Sequence, residues 1–303
     1  MPSYAYFKGK YIPVEQANLN IMTNFMHYGT GVFEGIRGNW NAGQKQLYLF
    51  RLKEHYQRML DGCRILNIDL PLDIEKLIDI SVKVSVKSAF KEDVYMRPVA
   101  YKSSEVLGVR LHNLDCDFFT TVFPWGRYID TDSARCMVST WRFPGEVPRA
   151  KFTGLYLTNA LAKTEAINNG FDEAIMLNAA GYVAEGSGEN IFLLRGGKLV
   201  TPSVADGCLI GITRDTIMKL AQNELGIDII ERHVDRIELY NSDEIFITGT
   251  AAHLTPITEI DRRTVGDGKV GPVTAKLQKL YKDVILNKLP KYSSWCTPVY
   301  PKK

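Results

Sequence analysis

Hydrophobic positions along the chain switch between a period of two and a period of three to four, and the switches mark its elements. The opening Y-A-Y-F-K-G-K-Y-I-P-V sets two aromatic-rich alternating runs about a K-G turn, which predicts a β-hairpin. L-Y-L-F-R-L at 47–52 predicts a strand. Helical spacing takes over at 52–66 and again at 73–90, where Ile74, Leu77, Ile78, Val82 and Val86 recur at threes and fours behind Asp73 as N-cap. β-branched and aromatic runs at 94–101, 117–123 and 134–140, bounded by Pro, Gly or Asp, predict sheet strands. The turn formers of F-P-W-G-R-Y-I-D-T-D then break the pattern, which predicts an N-terminal domain over 1–123, a linker over 124–133 and a C-terminal domain over 134–303.

The second half repeats the mixture. A helix is expected over 154–169, then strand, turn and strand through E-A-I-M-L-N-A-A-G-Y-V-A-E-G, then a hairpin about the G-G of N-I-F-L-L-R-G-G-K-L-V-T. G-I-T-R-D-T-I-M-K-L-A-Q-N-E-L-G predicts a helix opening at Thr213 and closing at Gly226. Strands at 227–231 and 244–248 and an amphipathic helix at 273–288 follow. Strands and helices alternate without strict βαβ order, so the expected class is α+β.

Composition narrows what such a fold does. The 303 residues are 45% hydrophobic and 23% charged, as in an ordinary globular protein, and 37 Lys+Arg against 34 Asp+Glu leave a net charge of +3. That balance lacks the basic face needed for a phosphate backbone, so no nucleic-acid partner is expected. Neither a secretory signal nor a membrane-spanning apolar run is visible, and a cytoplasmic protein is expected. Cys63, Cys116, Cys136, Cys208 and Cys296 form no C-x-x-C pair, and His27, His55, His112, His233 and His253 show no ligand spacing, so no metal is expected.

Four segments carry candidate chemistry, each with an ordinary alternative. G-I-T-R at 211–214 offers backbone N–H groups and a helix dipole to a phosphate, or is a plain helix cap. T-G-T-A-A-H at 248–253 lets a ligand approach the backbone, or is a strand corner. A-E-G-S-G-E-N at 184–190 brings Glu185 and Glu189 to a turn that is a solvated tip unless something cationic faces it. Lys151, in V-P-R-A-K-F-T-G-L-Y, is a Schiff-base nucleophile or one more solvated lysine.

Taken in order, these segments resemble the class IV, D-alanine aminotransferase-like pyridoxal-phosphate enzymes, and within them the branched-chain amino acid aminotransferases. The resemblance rests on H-Y-G-T-G-V-F-E-G-I-R at 27–37, L-F-R-L-K-E-H at 49–55, Y-M-R-P at 95–98, F-P-W-G at 123–126, A-K-F-T-G-L-Y at 150–156, A-E-G-S-G-E-N, G-I-T-R and T-G-T-A-A at 248–252. It implies a two-domain fold type IV transaminase, with a small N-terminal α/β domain and a larger C-terminal pseudo-barrel α/β domain.

It also implies roles. Pyridoxal 5'-phosphate is the cofactor, held as a Schiff base on Lys151, which then serves as acid and base. Glu185 accepts a hydrogen bond from the pyridine nitrogen, Tyr156 bonds the ring's phenolic oxygen, and Arg51, the N–H groups of Ile212 and Thr213 and the Thr250 hydroxyl hold the phosphate. The substrate α-carboxylate lies near the N–H groups of Thr250 and Ala251, close to Tyr95, and Arg97 receives the second carboxylate of L-glutamate or 2-oxoglutarate. Phe33, Trp125 and Tyr128 form apolar walls with Tyr28 nearby, and Leu107 and Val109 come from a neighbouring subunit, so a homodimer or larger homo-oligomer is implied. Phe152, Thr153 and Leu155 depart from the common pattern after Lys151, and His253 replaces a usual Glu. These departures keep open relatives acting on D-amino acids or (R)-amines, or as aminodeoxychorismate lyases, while a catalytically silent binding module has no use for Lys151, Glu185, Tyr156 and Arg51 together.

Overall fold

The computed structural model describes residues 3–126, 132–143 and 150–301. The chain forms two compact units, one of Met1–Gly126, Ala150–Gly154 and Asp283–Lys303, the other of Arg127–Arg149 and Leu155–Lys282.

The first unit is built on an eight-stranded sheet. Its order runs Cys296–Pro298, Gln46–Phe50, Ile36–Asn41, Val94–Lys102, Cys116–Pro124, Tyr4–Phe7, Lys10–Pro13, with Gly31–Phe33 also on Val94–Lys102. All its pairs are antiparallel. Gly31–Phe33 and Ile36–Asn41 pair with Val94–Lys102 in one continuous register, which sets Glu34 opposite Pro98 and Gly35 opposite Arg97. Pro98 has no N–H to give, so the ladder is interrupted there, and only the Glu34 N–H to Pro98 carbonyl bond forms, at 2.9 Å. Helices Leu52–Ile65 and Ile74–Ser88 pack on each other, with Tyr56 Oη hydrogen-bonded to Ser81 Oγ between them and Met59, Leu77, Ile80 and Val84 buried. Asp73 caps the second helix through Lys76 N–H at 2.8 Å, as its place before the apolar repeat predicts.

The second unit holds a nine-stranded mixed sheet in the order Val183–Gly186, Glu173–Leu177, Ala134–Arg142, His253–Ile260, Glu244–Gly249, Asn190–Arg195, Lys198–Pro202, Ile229–Arg232, with Arg263–Thr264 also on His253–Ile260. Ala134–Arg142 runs parallel to both neighbours, and Lys198–Pro202 is parallel to Ile229–Arg232. Glu173–Leu177 is buried on both faces, which is why it reads as a continuous apolar run. Ile175 and Leu177 join a core with Val183, Ile191, Leu193 and Ile247, while Ala174 and Met176 meet Ala162 and Ala166 of helix Tyr156–Asn168.

Several expectations are corrected. The second domain is not continuous to residue 303, because 150–154 is laid along Gly29–Phe33 and Cys296–Pro298 pairs with Gln46–Phe50. The strand at 47–52 stops at Phe50, since Arg51 turns left-handed (φ 52°) and starts helix Leu52–Ile65. The helix expected from Thr213 begins at Ile212 and ends, as expected, on left-handed Gly226. Half of the expected linker, 127–131, lies outside the described residues.

Candidate active site

The residues singled out from the sequence fall into two groups, one in each unit. In the first unit the stretch around Lys151 is fixed by the glycine-rich motif. Phe33 N–H donates to the Lys151 carbonyl at 2.9 Å, Phe152 bridges to Val32, and Thr153 Oγ1 donates to Gly29 O at 2.6 Å. Gly29 is left-handed (φ 61°), and a Cβ there would lie 2.7 Å from Gly154 Cα, so the Gly29 side of this crossing has no room for a side chain. Phe152 and Thr153, departures from the common pattern, are thus structural here.

Lys151 Nζ stands 5.1 Å from the centroid of the Phe33 ring, and Arg97 Cζ stands 4.8 Å from the same ring. Arg97 and Tyr95 share a strand face by the two-residue period, with Arg97 Nη2 3.4 Å from Tyr95 Oη and Cζ 5.3 Å from its ring. Arg97 is half-buried, its Nε is enclosed without a hydrogen-bond partner, and it pairs with no carboxylate among the described residues. A Cβ on Gly35 would fall 1.9 Å from Tyr95 Oη, so the tyrosine hydroxyl rests directly on the Gly35 backbone. Tyr95 packs on Trp125 at 5.3 Å, and Phe123 completes an aromatic trio.

Tyr28 accepts a hydrogen bond from Gly108 N–H at 3.0 Å, which ties it to the loop carrying exposed Leu107 and Val109. Tyr128 lies outside the described residues. Arg51 is buried, with its guanidinium 4.8 Å from the Trp295 ring, its N–H on Trp295 O at 2.7 Å and its Nε on Glu54 at 2.8 Å.

Behind this wall lies a buried network the sequence reading passed over. Glu34 accepts from Arg58 Nε at 2.6 Å and meets His55 Nδ1 at 2.7 Å. Burial opposes the Glu34 charge, but Arg58 and the His55 hydrogen bond overcome it and hold the carboxyl down at about 2; burial likewise pushes the His55 imidazole below its usual value. Glu34 lies in the F-E-G of the first motif and His55 ends L-F-R-L-K-E-H, but nothing in their spacing marks them as partners.

In the second unit both carboxylates of A-E-G-S-G-E-N point inward, which overturns the solvated-tip alternative: Glu185 is 6% exposed and Glu189 3%. Glu185 Oε2 accepts Leu209 N–H at 2.9 Å and Asn190 Nδ2–H at 3.1 Å. Burial, then Glu173, pushes Glu189 up to about 8, against the pull of Lys163, whose Nζ bonds Glu173 at 2.6 Å. Tyr156 is half-buried at the first position of its helix. Ile212 and Thr213 are buried in the first turn of a 14-residue helix whose N-cap, Gly211, supplies no side-chain cap. Thr250 and Ala251 are half-buried in the turn after Glu244–Gly249, and His253 beyond it is left-handed (φ 57°) with its ring 5.7 Å from that of Tyr281. Asn190 and the Leu209 backbone went unassigned from sequence. No cluster of three or more His, Cys, Asp or Glu placed to hold a metal occurs among the described residues.

The chain is similar to known proteins along nearly its whole length. The sequence model of amino-transferase class IV matches residues 31–260. A probable branched-chain-amino-acid aminotransferase of Aquifex aeolicus is 46% identical over 99% of this chain and 97% of its own length, and the branched-chain-amino-acid aminotransferase of Pseudomonas aeruginosa is 39% identical over 97% and 96%. The crystal structure of the branched-chain aminotransferase from Thermoproteus uzoniensis with norvaline superposes with a TM-score of 0.95 at 41% identity, covering 99% of this chain and 100% of that one. The branched-chain amino acid aminotransferase from Thermobaculum terrenum, crystallised in its PLP-form, gives 0.94 at 34% identity, covering 99% of both chains. With likeness of this depth running through sequence and fold from end to end, the chain belongs to the class IV amino-transferases, in their branched-chain-amino-acid group.

Proposed function

We propose that the chain moves an amino group reversibly between L-Leu, L-Ile or L-Val and 2-oxoglutarate, with pyridoxal 5'-phosphate as cofactor. The observation that carries this reading is the Phe33 ring shared by Lys151 Nζ and the Arg97 guanidinium. It joins an amine, an apolar wall and an unpaired cation, which a pocket needs if it is to take an aliphatic side chain and then an acidic one.

The residues present fit the cofactor. Glu185 is a buried acceptor already oriented by two N–H donors, suited to a protonated ring nitrogen. The start of helix Ile212–Leu225, with no side-chain cap, offers a positive dipole end, and the N–H groups of Ile212 and Thr213, together with Arg51 and the Thr250 hydroxyl, would hold the phosphate. When bound, the cofactor supplies an electron sink for the charge left on substrate Cα. Lys151 holds it through Nζ and is the amine that takes the proton from Cα and later returns one. Tyr156 donates to the ring's phenolic oxygen. The N–H groups of Thr250 and Ala251, with Tyr95, orient the α-carboxylate, Arg97 takes the distal carboxylate, and Phe33 and Trp125, with Tyr28 and Tyr128, exclude water from the aliphatic side chain.

A homodimer fits the exposed Ile21, Met26, Leu107 and Val109, which lie on two segments joined by the Asn24 N–H to Ser104 O bond at 2.9 Å. In it Leu107 and Val109 reach the neighbour's pocket. The five free cysteines fit a reducing cytoplasm, and no helix among the described residues is long and apolar enough to cross a membrane. A half-reaction panel tests the reading, following cofactor absorbance of the purified enzyme with L-Leu, L-Ile, L-Val, L-Glu, D-Ala and (R)-1-phenylethylamine. The four L-amino acids are expected to react fastest; faster reaction with D-Ala or the (R)-amine replaces the reading.

A further inference from the structure

Asn190 closes the A-E-G-S-G-E-N turn, is 5% exposed, and meets Glu185, Leu209 and Gly211. Its Nδ2 donates to Glu185 Oε2 at 3.1 Å and to Leu209 O at 2.8 Å. The same Leu209 returns its N–H to Glu185 Oε2 at 2.9 Å, so carboxylate, amide and main chain close a small ring of hydrogen bonds. Two residues on, Gly211 caps helix Ile212–Leu225, and a Cβ on Gly211 would fall 1.9 Å from Asn190 Oδ1. The amide therefore lies directly against the backbone that opens the helix. Its own backbone is in register with Thr248, in the strand leading to Thr250.

We propose that Asn190 is a positioning residue that fixes Glu185 relative to the start of helix Ile212–Leu225, so that one amide sets the spacing between the two ends of the cofactor. The inference rests on the aminotransferase reading, which assigns Glu185 to the ring nitrogen and the helix start to the phosphate. Its physical basis is that a carboxylate whose Oε2 accepts two hydrogen bonds is restrained in its rotation, and a helix start lying against the same amide is restrained with it. Glycine at 211 follows from this, because no other residue lets the amide approach the cap.

The test uses full-length holoenzyme and reads the two ends of the bound cofactor separately: visible absorbance and circular dichroism for the ring, phosphorus NMR for the phosphate. Glu185→Gln is expected to change the ring signal and leave the phosphate signal in place. Asn190→Ala is expected to change both and to speed cofactor loss about tenfold to a hundredfold, the range for losing hydrogen bonds to a charged group. Gly211→Ala, whose new methyl must displace the amide, is expected to reproduce Asn190→Ala, and to add less than about threefold when built on it, because the clash is then gone. This variant decides the matter if Asn190→Ala does not fold. A change at one end only, or additive effects of the two substitutions, overturns the inference while leaving the aminotransferase reading intact. A wild-type protein that takes up no pyridoxal phosphate overturns that reading, and the inference with it.

Discussion

If Arg97 receives the distal carboxylate as proposed, substrate dualism depends on it, and Arg97→Met is the cleanest perturbation. Methionine keeps much of the apolar stem over Phe33 and removes the guanidinium that stands 4.8 Å from that ring. With L-Glu the distal carboxylate then loses its cationic partner. Leaving one member of a buried charge pair alone costs about 2 to 5 kcal/mol. Arg97 is half-buried and not sealed, so the lower end applies, and about 2 kcal/mol is roughly 30-fold. With L-Leu no charge contact is lost; the long Arg97 Nη2 to Tyr95 Oη hydrogen bond and the cation–π contacts to Phe33 and Tyr95, the latter worth about 0.5 to 1 kcal/mol at such exposure, disappear for both substrates alike. Stopped-flow half-reactions of wild type and variant with each amino acid give the four rate constants needed. The ratio for L-Leu over L-Glu is expected to rise roughly 30-fold. Equal losses with both substrates would assign Arg97 to the α-carboxylate or to the architecture and refute the reasoning.

Lys151→Ala is expected to abolish multiple turnover, and borohydride reduction of the wild type to leave the cofactor on the Lys151 peptide; its recovery on another lysine ends that assignment. Glu185→Gln is expected to keep cofactor bound but to slow turnover about a hundredfold or more, because a neutral amide no longer favours the protonated ring nitrogen, and near-normal turnover removes the role. Glu34→Gln breaks a buried ion pair and is expected to cost about 3 to 5 kcal/mol by urea unfolding at pH 7. Since the folded Glu34 carboxyl sits at about 2, below its unfolded value, its stabilisation is present above the unfolded pKa and fades as pH falls through about 2; a variant-to-wild-type difference that vanished already at pH 5 would contradict this. Glu189 has the opposite sign: its folded pKa is raised to about 8, so the wild type loses stability as pH rises from the unfolded value through 8. Glu189→Gln is expected to flatten that decline in urea melts between pH 6 and 9, and parallel curves for the two proteins would refute it.

Local signals in the sequence were legible wherever one short segment decides its own geometry. Asp73 ahead of an apolar repeat and Gly226 behind one gave both helix ends, and the G-G turn gave its hairpin. What stayed hidden depends on distant partners. Ile36–Asn41 reads as polar, with Gly38 inside it, and becomes a strand only because Gln46–Phe50 and Val94–Lys102 flank it. Pro256 likewise masked His253–Ile260, which is nonetheless central in its sheet. The site shows the same split. Lys151, Glu185 and Arg97 stood out through motif resemblance, but the ring shared by Lys151 and Arg97, the amide behind Glu185 and the Glu34 network needed tertiary structure, because nothing in residue type or spacing marks a neighbour across a sheet.

Trp295 holds Arg51 by its ring and by its carbonyl, and the strand Cys296–Pro298 that follows it zips onto Gln46–Phe50. A ribosome makes Arg51 long before Trp295. During translation the arginine expected to grip the phosphate therefore waits, without its aromatic neighbour, until the whole stretch between them has emerged. A chain stalled before Trp295 presents that arginine with neither the ring nor the carbonyl that meets it in the folded chain.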